Sequence, residues 1–253
     1  MKPYGAPGTP GLSTLRCAGA VVYAEEHKVF RNGVGMLIFL VKYSRPDIAN
    51  AIRELSKAMP SPSPVAVKEL MRVLKFVIDT KSLGFKMKPV GEFGSWKLLA
   101  FSDSDYAGDP ENRVSVCGYV IYLNEVPISW KSKGQKTVTM SSSEAEFVAM
   151  SEASKEIKFV YQVLESMEIT VDLPIIVRVD NIGAIFMGEN VHVSNRSKHI
   201  DVRYHFVREF VHDGFIRIIF VRSENNDADL FTKNLSCDLY KKHSQKLVSE
   251  KGK

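Results

Sequence analysis

Cysteine is scarce in this chain of 253 residues: Cys17, Cys117 and Cys237 stand far apart, and no CxxC pair occurs. That excludes a disulfide scaffold and a thiolate metal cluster, and implies free thiols in a reducing compartment. Long apolar runs are missing as well. The longest, Met36-Leu37-Ile38-Phe39-Leu40-Val41, falls far short of the ~20 residues that a bilayer span needs. Residues 1–10 are rich in Gly and Pro and lack the charged-then-apolar pattern of a secretory signal. A soluble intracellular protein with no membrane partner is therefore expected. No GxGxxG and no Walker motif is present, so the common glycine-rich phosphate cradles are excluded. Neither sign of charge dominates. The 34 Lys and Arg against 29 Asp and Glu leave +5 and an isoelectric point near 9.0, which suits a polyanion without identifying one.

What is present is an ordinary globular composition, 45% hydrophobic, organised in segments. Residues 1–30, with Pro3, Pro7 and Pro10, read as a poorly ordered lead-in. Residues 31–83 read as helical. Ile48, Ala51, Ile52 and Leu55 recur at helical spacing after Pro46-Asp47. The prolines of Pro60-Ser61-Pro62-Ser63-Pro64 break that helix before a second, amphipathic one with Leu70, Val73, Leu74 and Phe76. From residue 84 to about 240 strands appear, and 241–253 read as a tail. Within 84–240 the order is three strands, a long helix near 143–167 opened by a Ser141/Glu144 capping box, a strand over Ile175–Asp180, helices, a fifth strand and a final helix from about Asn226. This is a mixed α/β layout.

Four carboxylates stand at element ends. Asp103 follows the apolar run Leu98-Leu99-Ala100-Phe101, and Asp180 ends Ile175-Ile176-Val177-Arg178-Val179. Glu146 falls in the first turn of the long helix, and Asp229 in the first turn of the last one. Viewed singly, Glu146 and Asp229 are as well explained by the favourable helix dipole, and Asp180-Asn181 by a turn. Viewed together, the four suit a cluster. Convergent carboxylates need a counter-charge, and hard oxygen donors favour Mg²⁺, the metal of phosphodiester chemistry. Spacing alone leaves their convergence open.

The blocks around these acids resemble, in order, the ribonuclease H domain of copia-type LTR retrotransposon polyproteins. Phe101-Ser102-Asp103-Ser104-Asp105-Tyr106-Ala107-Gly108-Asp109 is similar to the first acidic motif, and Ser141-Ser142-Ser143-Glu144-Ala145-Glu146-Phe147 to the second. Val179-Asp180-Asn181 is similar to the third and Ala228-Asp229-Leu230-Phe231-Thr232-Lys233 to the fourth. Ser197-Lys198-His199-Ile200-Asp201-Val202-Arg203-Tyr204-His205 is a further distinctive block. Upstream, Ser44-Arg45-Pro46-Asp47-Ile48-Ala49 and the segment Ala66–Lys75 look like the reverse transcriptase thumb and connection. No Tyr-x-Asp-Asp pair occurs, so the polymerase palm is missing from this chain.

The resemblance implies a ribonuclease H-like fold, a mixed five-stranded sheet flanked by helices and preceded by a small helical segment. It further implies two Mg²⁺ ions, replaceable by Mn²⁺, on Asp103, Glu146, Asp180 and Asp229. The implied activity is cleavage of the RNA strand in an RNA–DNA hybrid, with the reverse transcriptase polymerase domain as a further partner and a cytoplasmic virus-like particle or the nucleus as the location. The alternative is a catalytically silent or co-opted remnant that binds nucleic acid. Lys131, Lys133, Lys136, Arg196, Lys198 and Arg203 are candidate phosphate contacts, although each could equally be a solvated charge. Val221–Asp227 carries no histidine, unlike the corresponding loop of many cellular ribonucleases H. His199 and His205 are expected to serve structural hydrogen bonding or phosphate contact.

Overall fold

The computed structural model describes residues 4–10, 22–87, 89, 94, 96–109, 112–189 and 198–250, and for 198–204 the backbone alone. In chain order the elements are α1 (Ala24–Tyr43), α2 (Ala49–Lys57), α3 (Pro64–Asp79), β1 (Leu83–Phe85), β2 (Leu98–Asp105), β3 (Val116–Leu123) and β4 (Val126–Gly134). These are followed by α4 (Ser142–Ser166), β5 (Ile175–Val179), α5 (Ile182–Glu189), α6 (Lys198–His212), β6 (Ile216–Phe220), α7 (Cys237–Ser244) and β7 (Val248–Glu250). Two compact units form. One comprises Met1–Lys86, Gly108–Arg113 and Leu230–Lys253, and the other Met87–Ala107 and Val114–Asp229.

The first unit is helical. Phe30, Val34 and Leu37 of α1 are buried, as are Ile52 and Leu55 of α2 and Leu70, Val73 and Phe76 of α3. Helix α3 begins where Ser63 caps it, its hydroxyl accepting from Ala66 N–H at 3.1 Å, with Pro64 at the first helical position. Helix α1 starts at Ala24, within the segment read as a lead-in; the rest of that segment lies largely outside the described residues. Residues from the far end of the sequence complete this unit: β7 pairs antiparallel with β1, and Tyr240 of α7 is buried.

The second unit holds the five-stranded sheet, ordered β4-β3-β2-β5-β6. Strands β2, β3 and β4 are an antiparallel meander, while β5 lies parallel to β2 and β6 parallel to β5. The expected mixed five-stranded sheet is therefore present. The β3–β4 hairpin turns at Asn124 and Glu125, both with positive φ (47° and 66°), as a tight two-residue turn requires. Helix α4 packs along β2 and β3. Its Ala145, Phe147, Ala149, Met150, Ala153 and Ile157 are buried. Phe147, Met150, Ala153 and Ile157 join Ala100, Ile121, Val177 and Ile216 of the sheet in one hydrophobic core. At ~25 cal/mol per Å² this apolar burial is the dominant stabilising contribution.

Two more elements differ from expectation, one of them β7, which lies in the segment read as a tail. The α-helix read from Asn226 onward is absent; Ser223–Asn225 and Asp227–Phe231 are 3-10 turns, and the last α-helix begins at Cys237. The cause is local. Asn226 is extended at ψ 106°, and its side-chain Oδ1 accepts from Ala228 N–H at 3.2 Å. An Asn side chain that takes a backbone donor in this way competes with α-helical pairing.

Candidate metal centre

Strand β2 runs out of the core into Asp103, which is 1% exposed. The parallel register aligns Phe101 with Arg178 of β5. Continued by two residues, it brings Asp103 level with Asp180, just past the end of β5. Parallel neighbours present their carboxyl ends at one edge of a sheet, which is where α/β proteins gather their chemistry. Asp229 reaches the same place from the 3-10 turn after β6. Carboxylate oxygens of Asp103, Asp180 and Asp229 lie within 4.8 Å of one another, with Asp103 and Asp229 buried and Asp180 half-buried. Ser223 Oγ donates to Asp229 Oδ2 at 3.4 Å.

Glu146 is outside that trio but adjoins it. Its Oε1 accepts the backbone N–H of Ser104 at 3.1 Å, one residue beyond Asp103. Half of the expected capping box is present: Ser141 caps the helix, while Glu144 turns back to the residue before the cap. Ser141 Oγ accepts from Glu144 N–H at 3.2 Å, Glu144 Oε2 accepts from Met140 N–H at 2.7 Å, and Glu146 follows just after the first helical turn rather than within it. A strand end and a capped helix start are both rigid, which suits a site built to close tolerances.

Three carboxylates at this separation repel one another when ionised, and burial weakens the screening between them. An all-oxygen donor set suits a hard divalent cation that keeps some of its waters. Asp103, Asp180 and Asp229 therefore fit such an ion, while Glu146 meets the backbone next to Asp103.

The candidate phosphate contacts divide. Lys131 is engaged within the protein: its Nζ lies 3.1 Å from Glu152 Oε2 and 5.6 Å from the Tyr119 ring centroid. Burial alone would raise the Glu152 pKa, but hydrogen bonds from Lys131 and Lys155 outweigh it and hold the carboxyl below its usual range. Lys133 and Lys136 are exposed and line a groove of about 270 Å³ with Lys131, Gln135 and Glu152. Arg196 lies outside the described residues, as do the side chains of Lys198, His199 and Arg203, while His205 on α6 is exposed. No helix among the described residues is long and apolar enough to cross a membrane.

An antiparallel meander continued by two parallel strands, with acids converging at the carboxyl ends of the central pair, defines a ribonuclease H-like domain. The chain belongs to the retrovirus-related Pol polyproteins of copia-type LTR transposons. It is 35% identical over 246 residues, 97% of its length, to the Pol polyprotein of transposon RE1 from Arabidopsis thaliana. To that of transposon RE2 from the same plant it is 36% identical over 86% of its length. It spans only 16% and 15% of these two relatives. Among solved structures, LC11 ribonuclease H1 in complex with an RNA/DNA hybrid matches 54% of this chain and 94% of its own, at 14% identity and a TM-score of 0.41. No family model matches the chain.

Proposed function

We propose that this chain is a Mg²⁺-dependent endonuclease that hydrolyses the RNA strand of RNA–DNA hybrids, with Asp103, Glu146, Asp180 and Asp229 as its metal-binding residues. The observation that carries this reading is the convergence of three carboxylates within 4.8 Å at the carboxyl end of the parallel strand pair. Asp103 and Asp180 supply fixed anionic oxygens from adjacent strands, Asp229 closes the site from its 3-10 turn, and Glu146 approaches along the Ser104 backbone. Two divalent ions held there, Mg²⁺ or Mn²⁺, would generate a hydroxide nucleophile near neutral pH and offset charge on the leaving 3′-oxygen. Lys133 and Lys136, exposed on one groove, are the best-disposed phosphate contacts. Lys198, Arg203 and Arg196 extend the candidate set, and Lys131 serves chiefly to order Glu152.

On this reading residues 84–240 are the nuclease domain and 31–83 a remnant of the reverse transcriptase thumb and connection. The polymerase domain is then a natural partner, and virus-like particles or the nucleus the place of action. A labelled RNA–DNA hybrid incubated with the protein and Mg²⁺ should lose its RNA strand, and chelation or Asp103→Asn should abolish the loss. Affinity for the hybrid with no product under Mg²⁺ or Mn²⁺ would identify a silent nucleic-acid-binding remnant instead.

A further inference from the structure

Asp103 is bracketed by two buried carboxamides. On one side, Asn226, fully buried, donates from Nδ2 to the carbonyl of Ser102 at 2.9 Å. The same Asn226 accepts Ala228 N–H on its side chain at 3.2 Å and Asp229 N–H on its own carbonyl at 3.2 Å. It therefore ties the turn that carries Asp229 to the residue before Asp103. On the other side, Gln135, 8% exposed, donates from Nε2 to Ser104 Oγ at 3.2 Å and to the carbonyl of Ala145 at 2.9 Å. Its own backbone N–H is held by Ser115 O at 2.7 Å. From just past the end of β4, it therefore ties the residue after Asp103 on β2 to the residue before Glu146 on α4.

We infer that Gln135 and Asn226 are positioning residues that set the separations among the carboxylates, an inference that rests on the metal-nuclease reading. The physical need is specific. Like-charged carboxylates drive one another apart, and each reaches the site on a different element. A buried amide is costly unless its hydrogen bonds are made, so an apolar side chain would serve packing alone at lower cost. An amide donor aimed at a backbone carbonyl beside each acid supplies what packing does not, a directional restraint on both separations. Groups that hydrogen-bond a metal ligand typically alter metal affinity or activity by about 10- to 100-fold when removed, and these two amides hold the residues next to the ligands.

The test uses the full chain carrying Gln135→Met or Asn226→Ser. Mn²⁺ uptake is followed by electron paramagnetic resonance, and hybrid cleavage by kcat and KM across a metal titration. The expected result is a half-saturating Mn²⁺ concentration raised by about 10- to 100-fold, with kcat reduced at low metal, restored by excess metal, and KM for the hybrid unchanged. A role in stability alone would lower the thermal midpoint but leave the half-saturating Mn²⁺ concentration of the folded protein unchanged. If either variant loses its near-ultraviolet dichroism, Gln135→Asn and Asn226→Gln, which keep the amide but change its reach, carry the same expectation. Wild-type metal uptake and kcat in folded variants overturn the positioning roles and leave the nuclease reading standing. A wild-type chain that neither takes up Mn²⁺ nor cuts the hybrid overturns both.

Discussion

The Tyr240 hydroxyl donates to Asp47 Oδ2 at 2.7 Å, joining residues 193 positions apart. Arg45 grips the same carboxylate in a bidentate pair, at 2.8 Å to each oxygen, and also donates to Thr80 Oγ1 at 3.0 Å. A buried ion pair is stable only when its remaining lone pairs are satisfied, and Tyr240 satisfies one of them. Tyr240→Phe should therefore destabilise the helical unit by about 1.5–3 kcal/mol, the range for hydrogen bonds to charged groups. Urea unfolding checks this, and an unmoved midpoint would refute it.

The same phenol fixes a pH dependence. Burial and then the charge of Asp47, opposed by Arg45, raise Tyr240 well above the usual tyrosine range. Tyr122 is raised likewise by burial and by Asp227, which its hydroxyl meets at 3.3 Å. A raised folded-state pKa means that the folded chain keeps a proton the unfolded chain releases. The stability it contributes is complete below the unfolded value of about 10 and declines as pH rises past it. Thermal midpoints should fall steeply above pH ~10 in the wild type and less steeply in a Tyr122→Phe/Tyr240→Phe double variant. Parallel slopes in the two proteins would contradict the assignment.

The carboxylate cluster makes opposite demands on stability and on metal binding. Asp103→Asn removes one of three mutually repelling charges, so the metal-free variant should melt no lower than wild type. The rise in Tm that Mg²⁺ gives the wild type should disappear from it. A bound ion at 100 times its Kd adds about 2.7 kcal/mol, large enough to follow by calorimetry. An equal Mg²⁺-induced rise in both proteins would remove Asp103 from the metal set.

The three lysines along one groove should behave differently. Lys133→Ala and Lys136→Ala are each expected to weaken hybrid binding and lower the salt slope of log K by about one. Lys131→Ala should leave the slope nearly unchanged, because its ammonium is committed to Glu152; the half-exposed pair contributes less than ~1 kcal/mol to stability. Binding isotherms at several salt concentrations distinguish them. A full unit of slope lost with Lys131→Ala would reverse the ranking.

The contrast between these lysines shows where the sequence is readable. Val116–Leu123 is a strand at the residues expected from its apolar run and its Asn124-Glu125 turn, because both signals are local. The Ser141 cap of α4 is legible for the same reason. Asp229 sits in a 3-10 turn because Asn226 diverts a backbone donor, a competition that residue spacing does not reveal. Lys131 meets Glu152 across 21 residues, and Gln135 meets Ser104 across 31, so neither commitment leaves a mark on its own neighbourhood. The acids are prominent because they end apolar runs. The amides beside them are not, since a buried Gln or Asn looks locally like any surface turn residue.

The helical unit draws on both the first 86 residues and the segment from Leu230 onward. During synthesis, at roughly 5–20 residues per second, α1, α2 and α3 leave the ribosome long before α7 and β7 are made. The carboxylate-bearing sheet has all its strands available by residue 220, while β1 still awaits its pairing strand. A nascent chain stopped between the two events would hold a finished sheet while Phe76 still lacked the Tyr240 ring that meets it edge-on at 5.6 Å in the finished chain, and that interval is when a chaperone would be needed most.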